Sequence, residues 1–226
     1  MGWPSACSPT SPLRRASFDL DIPPSPSTEK TFIYDHLKAM DPCLHPSLLH
    51  YHGQFLSHNQ GPIPHSVMIP QFSYSSTSLH HDVLPATPIN WVEDIERESD
   101  PKFEDKIDDR LLWRGTTTGM WAGGDTRWRN QQRMRLVRLA NQLNGTRDVL
   151  RSTSSTERVG ESVQMSMARV NPAMLDVTFV GEPHSCSEDM CEVVQDEYEF
   201  RKYQSVEKAG SYKYILDVRE FVLSSS

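Results

Sequence analysis

The run Arg110-Leu111-Leu112-Trp113-Arg114-Gly115-Thr116-Thr117-Thr118-Gly119, carried on through Asp125-Thr126 and closing at Asn144-Gly145, decides the fold. Its first four residues are a short, β-prone apolar run, and 114–119 is a turn. The spacing then predicts a helix over 126–143, because Leu136, Leu139, Ala140 and Leu143 fall at i, i+3, i+4 and i+7. Asp125 or Thr126 would supply the N-cap, and Asn144-Gly145 the stop. Further on, a strand is expected over 174–180, a helix over 188–203 and a strand over 212–218. Strand, helix, strand, helix, strand is the rhythm of a parallel α/β sheet.

Chemistry is expected at the turn. In open α/β sheets, ligands sit beyond the carboxyl ends of strands, and helix amino ends attract phosphate. Gly115 and Gly119 let the backbone turn tightly, three threonines offer hydroxyls, and arginine adds bidentate recognition of a diphosphate. No Gly-Lys-Ser/Thr follows, so the pattern is not a P-loop and does not indicate ATP or GTP hydrolysis. On a helical wheel Arg127, Arg135 and Arg138 lie opposite the apolar stripe, as surface charge. Arg129 and Arg133 lie beside it, and Arg133 is better placed to point into a cleft. A solvated arginine face fits the same residues. Trp113, Trp121 and Trp128 could stack a uracil or sugar ring, with core packing the default for at least two of them.

Outward from this unit, composition sets the bounds. A chain of 226 residues that is 37% hydrophobic and 23% charged is globular, not fully disordered. Its net charge of -7 argues against bulk binding to nucleic acid or an anionic membrane. Charge is segregated: 93–109 holds nine acids against three bases, and 110–151 nine arginines against Asp125 and Asp148. No run approaches the ~18 apolar residues that suggest a membrane helix. Residues 1–30 read as an irregular Pro/Ser-rich lead. A helix is expected at 31–40, then loops with short strands at 67–69 and 71–74, and an exposed helix or linker over 92–109.

Eight of the nine histidines fall between His36 and His81, but neither a His-Glu-x-x-His helix nor a Cys/His ligand grid accompanies them. Solvated or capping loop histidines are the expectation, and no metal is assigned. Cys7, Cys43, Cys186 and Cys191 are too few and too scattered for a disulfide scaffold. Cys186 and Cys191 could pair across a short loop, or both be free thiols. Asn144-Gly145-Thr146 is an N-glycosylation sequon that coincides with the helix stop.

Several phrases resemble fungal CAP10-domain (family 90) glycosyltransferases, in the same order. They are Met40-Asp41-Pro42-Cys43, Pro70-Gln71-Phe72-Ser73-Tyr74, Leu79-His80-His81-Asp82 and Pro88-Ile89-Asn90-Trp91, then Leu112-Trp113-Arg114-Gly115 and Gln132-Arg133-Met134-Arg135-Leu136-Val137, and finally Tyr212-Lys213-Tyr214-Ile215-Leu216-Asp217-Val218. The resemblance covers residues 30–218. It implies transfer of a sugar from a UDP-sugar to a hydroxyl on a protein or glycan, generally without a metal or other cofactor, in the ER/Golgi secretory pathway. The implied fold class is α/β: a partial GT-B-like arrangement with an incomplete Rossmann-like parallel sheet. Residues 31–109 would form a loop-rich acceptor-side portion with an acidic connector, and 110–226 a truncated donor-binding portion. By resemblance, Arg114, Gly115 and Thr116 lie near the donor, Arg133 at its diphosphate, and Asp176 and Asp217 at strand ends nearby.

The chain departs from that family in two places. Where members carry a motif like Asp-Gly-Asn-Gly-Trp-Ser-x-Arg after the last of these phrases, this chain has Arg219-Glu220-Phe221-Val222-Leu223-Ser224. The family's catalytic aspartate has no counterpart to assign, so the catalytic residue stays unknown. The expectation is a truncated enzyme that does not turn over by itself. The rival is a non-catalytic remnant that binds a nucleotide or a protein partner. A nucleic-acid binder fits poorly with the acidic total.

Overall fold

In the computed structural model, residues 3–15, 22, 33–56, 66–73, 79–85, 100–151 and 160–218 are described. The first half of the chain is held by a cross-link more than by periodicity. A 3-10 turn at Trp3–Ala6 is followed by α1 (Pro12–Arg15), α2 (His36–Ala39), α3 (Leu48–Tyr51) and α4 (Gly53–Leu56). Helices this short do not hold themselves in water. A Cys7–Cys43 disulfide ties them around Trp3, Leu13, Leu49 and Phe55. The Trp3 ring meets Phe55 edge-on at 4.7 Å.

Several expectations change here. All four cysteines pair, as Cys7–Cys43 and Cys186–Cys191. Within the stretch expected to be irregular, Trp3, Cys7 and Leu13 are buried. His50 and His52 are buried too, and burial lowers the His52 pKa. The helix expected at 31–40 shortens to α2, whose N-cap Asp35 accepts a bond from the Lys38 amide. The strands expected at 67–69 and 71–74 reduce, among the described residues, to one bridge between Phe72 and Val83. Of the stretch expected as an exposed helix or linker, 92–99 lies outside the described residues, as does Tyr74, and the rest holds a 3-10 turn at Phe103–Asp105 and the start of the first sheet strand.

The second half alternates as expected, with additions. Its elements are β1 (Asp108–Gly115), α5 (Gln132–Asn141), β2 (Thr146–Leu150), β3 (Ser162–Ser166), α6 (Met167–Met174) and β4 (Leu175–Val180). After these come α7 (Glu188–Glu197), β5 (Phe200–Arg201), α8 (Val206–Gly210) and β6 (Tyr212–Ile215). One sheet runs in the order β5-β4-β1-β6, with every neighbour parallel. Counted along the chain this is 3-2-1-4, the first four strands of the Rossmann order, and the order reverses between β1 and β6. Central β4 is buried at every residue but its first, as a strand covered on both faces must be.

Alternation of side chains splits β1 between two faces. Trp113 joins Val177 and Phe179 of β4 on the apolar face, against Met134, Val137 and Ala140 of α5 and Val194 of α7. Arg110, Leu112 and Arg114 point the other way. Helix α5 begins later than expected because Thr126 is used elsewhere: its hydroxyl donates to the Trp121 and Gly123 carbonyls and accepts from the Gly123 amide. A 3-10 turn at Trp128–Asn130 then drives Trp128 into the core before the helix starts from N-cap Gln131. The buried stripe therefore shifts to Met134, Val137 and Ala140, leaving Leu139 and Leu143 exposed. Arg135, expected on the surface, lies half-buried over the Tyr51 ring at 4.3 Å, and burial lowers its pKa. That contact, with Leu56 in the main core, seats the N-terminal helices on the sheet unit.

The helix expected over 188–203 ends at Glu197, because Tyr198 turns into the core and Phe200–Arg201 pairs with Phe179 and Val180. The strand expected over 212–218 shortens to β6. Helix α6 and the antiparallel pair β2–β3 are additions between α5 and β4. Among the described residues no helix is long and apolar enough to cross a membrane.

Candidate functional site

The strand order reverses between β1 and β6, and Arg133 lies between the loops that follow their carboxyl ends. As the second residue of α5, Arg133 comes off the helix's amino end, where backbone N–H groups lack intrahelical partners. Its Nη1 donates to the Thr116 carbonyl at 3.1 Å and to Thr118 Oγ1 at 3.2 Å, and its Nη2 to the Val218 carbonyl at 3.0 Å. One guanidinium thus ties the loop after β1 to the loop after β6. The Nε2 of the N-cap Gln131 is buried with no hydrogen-bond partner among the described residues. Asp217 lies exposed in the loop after β6.

The first loop is built from its own residues. Gly115 ends β1 where a Cβ would come within 2.5 Å of the Trp113 indole, so the strand can exit over the ring only as glycine. Gly119 has φ +112° and closes the turn. Thr116 and Thr118 share a hydroxyl hydrogen bond of 2.9 Å. Thr117 turns inward, donating to the His184 carbonyl at 2.8 Å and accepting from the His184 amide at 2.9 Å. Ala122 pairs in both directions with the 185–187 segment, so the loops after β1 and β4 are zipped together. The Cys186–Cys191 disulfide fastens that second loop to α7. Trp113 and Trp128 are core residues, as expected for two of the three, while Trp121 in this loop is 55% exposed.

The residues expected near a donor therefore divide. Gly115, Thr116, Arg133 and Asp217 lie at the carboxyl-end side of β1 and β6. Arg114 and Asp176 pair on the opposite face of the sheet, Arg114 Nη2 donating to Asp176 Oδ1 at 2.6 Å. Asp176 is buried and also accepts from Arg201 at 3.0 Å and from the Tyr212 hydroxyl, with Arg110 3.6 Å away. Burial alone would raise its pKa. Hydrogen bonds from Tyr212 and Arg114, with the charges of Arg114 and Arg110, more than offset this and hold the carboxyl below its ordinary value. Burial and the same carboxylate raise the Tyr212 pKa. This cluster floors a cleft of about 580 Å³ that Lys208 also lines.

Sequence reasoning did not anticipate His184, Tyr212 or Arg201 as partners. Nothing local marks them, since each acts across strands. Arg110 pairs with Asp108, an acid of the 93–109 stretch, while Arg114 and Arg129 pair with Asp176 and Glu197.

Comparison with family models, with curated proteins and with solved structures gives no match. The geometry and the sequence phrases therefore carry the functional reading by themselves. What they define is an α/β unit of Rossmann-like strand order with an arginine at its topological switch point.

Proposed function

We propose that the chain is the donor-binding part of a CAP10-type glycosyltransferase of GT-B-like design, using a UDP-sugar and a hydroxyl of a protein or glycan. The observation that carries this reading is Arg133 bridging the loops after β1 and β6, where sheets of this order receive nucleotides. In the proposed reaction a base takes the acceptor hydroxyl proton, the new glycosidic bond forms, and the bond from the sugar to the diphosphate breaks. Arg133 and the amino end of α5 stabilise the departing UDP diphosphate. Thr116 and Thr118 hold the guanidinium in place, and the exposed Trp121 indole offers a face to the uracil. Asp217 lies at the same edge, within the sheet's carboxyl-end loops.

A second reading, nucleotide binding without transfer, is favoured by one observation. Arg219-Glu220-Phe221-Val222-Leu223-Ser224 stands where the resembling family carries its serine and arginine motif. Thermal unfolding with and without UDP tests what the two readings share. UDP should raise the midpoint, and Arg133→Ala should weaken UDP binding about tenfold or more, the scale of a lost charge-assisted hydrogen bond. Trp121→Ala should weaken it less. Unchanged UDP affinity in Arg133→Ala would remove the site assignment. UDP release in the presence of acceptor then separates transfer from binding alone.

A further inference from the structure

We infer that Asn144 carries an N-linked glycan, added where the chain also acquires its disulfides. This inference does not rest on the sugar-transfer reading. The sequon Asn144-Gly145-Thr146 runs from the turn after α5 into the first residue of β2, and every residue from 141 to 146 is exposed. Gly145 holds φ +89°, a conformation that disfavours side chains, so glycine at the middle position makes the turn possible. The turn is pinned through its backbone: the Met167 amide donates to the Gly145 carbonyl at 3.0 Å, and Gln142 Nε2 donates to the Asn144 carbonyl at 3.3 Å. The side-chain amide of Asn144 and the hydroxyl of Thr146 stay on the outside.

An exposed sequon alone would be weak, since short motifs recur by chance. Two independent observations strengthen it. All the cysteines are paired, and the Cys7–Cys43 bridge joins residues 36 apart in the chain. Stable disulfides belong to oxidising compartments, and the secretory lumen is where sequons are glycosylated. The apolar residue next to the sequon, Leu143, is 53% exposed, and Leu139 one turn earlier is 37% exposed. A glycan on Asn144 would lie over this otherwise uncovered apolar surface. The attachment also lies at the far end of α5 from Arg133. Helix α5 has ten residues, so at ~1.5 Å per residue its carboxyl end is about 15 Å from the end bearing Arg133.

In the modification, the Asn144 Nδ2 attacks C1 of a sugar on a lipid-linked pyrophosphate oligosaccharide. The N–C1 bond forms, the C1–O bond to phosphate breaks, and the lipid pyrophosphate leaves with the electron pair. The amide nitrogen gives up one proton to the transferring enzyme.

The test is mass spectrometry of the protein isolated from its own cells, cleaved by an amide-directed glycosidase in heavy-oxygen water. The expected result is loss of mass from the intact protein and one heavy oxygen at position 144, with all the cysteines resistant to alkylation until reduced. Thr146→Ser should keep the modification, while Asn144→Gln and Thr146→Ala should abolish it without loss of the folded state. An unmodified Asn144 peptide overturns the inference. So does conversion to aspartate without the heavy label, which would report spontaneous deamidation of Asn144-Gly145.

Discussion

At the scale of single residues, Asp176 fixes the unit across strands, and Gly115 fixes the exit of its own strand over the Trp113 ring. Asp176 gathers Arg114, Arg201 and Tyr212 around a carboxylate whose side chain is 4% exposed. Asp176→Asn should cost about 3 kcal/mol, because it leaves Arg114, whose side chain is 12% exposed, without its counter-charge. Its folded pKa lies below the ordinary 3.8, so its contribution is complete above about pH 4 and is lost as the pH falls through the folded value. Urea midpoints measured between pH 3 and pH 7 should show an acid decline in the native chain that flattens in the variant. An equal decline in both would mean that Asp176 is not the group responsible. Gly115→Ala should cost about 1–3 kcal/mol by forcing the Trp113 ring from a packed core. A Tm matching the native value would show that the indole yields freely.

At the scale of elements, the strand–turn–helix of 110–143 was legible because its periodicity and punctuation lie within one window. Its details were not. Where α5 starts depends on Thr126 closing a turn on Trp121 and Gly123, and the face it buries depends on where Trp113 and Val177 stand in three dimensions. Strands β2 and β3 did leave a signal, since Ser162-Val163-Gln164-Met165-Ser166 alternates with a period of two. Of the expected site, the glycine–threonine turn and Arg133 could be read from local pattern and resemblance, whereas the Arg114–Asp176 pair could not, because its partners come from different strands. The disulfides differ in the same way. Cys186 and Cys191 are 5 residues apart, but Cys7 and Cys43 are 36 apart and carry no spacing signature. In the chain-entropy account the longer loop gives about 4 kcal/mol and the shorter about 2 kcal/mol. Cys7→Ser/Cys43→Ser should therefore lower the Tm more than Cys186→Ser/Cys191→Ser. The reverse order would show that the loop before α7 is the weaker part.

At the scale of the whole molecule, two small cores share one seam, at Leu56, Tyr51 and Arg135. The strand order has a kinetic consequence. The central pair, β1 beside β4, sets Leu111 against Leu175 and Gly115 against Phe179, residues that are far apart along the chain. Nothing repays the entropy of closing that span until both strands are in register, so the barrier to folding includes the whole excursion through α5, β2, β3 and α6. With its disulfides intact, the chain should bury Trp3 early and Trp113 and Trp128 only in a single later phase, in milliseconds to seconds. Stopped-flow fluorescence on variants retaining one of these tryptophans would resolve the order. Burial of Trp113 within microseconds would mean that β1 finds its place before β4 arrives.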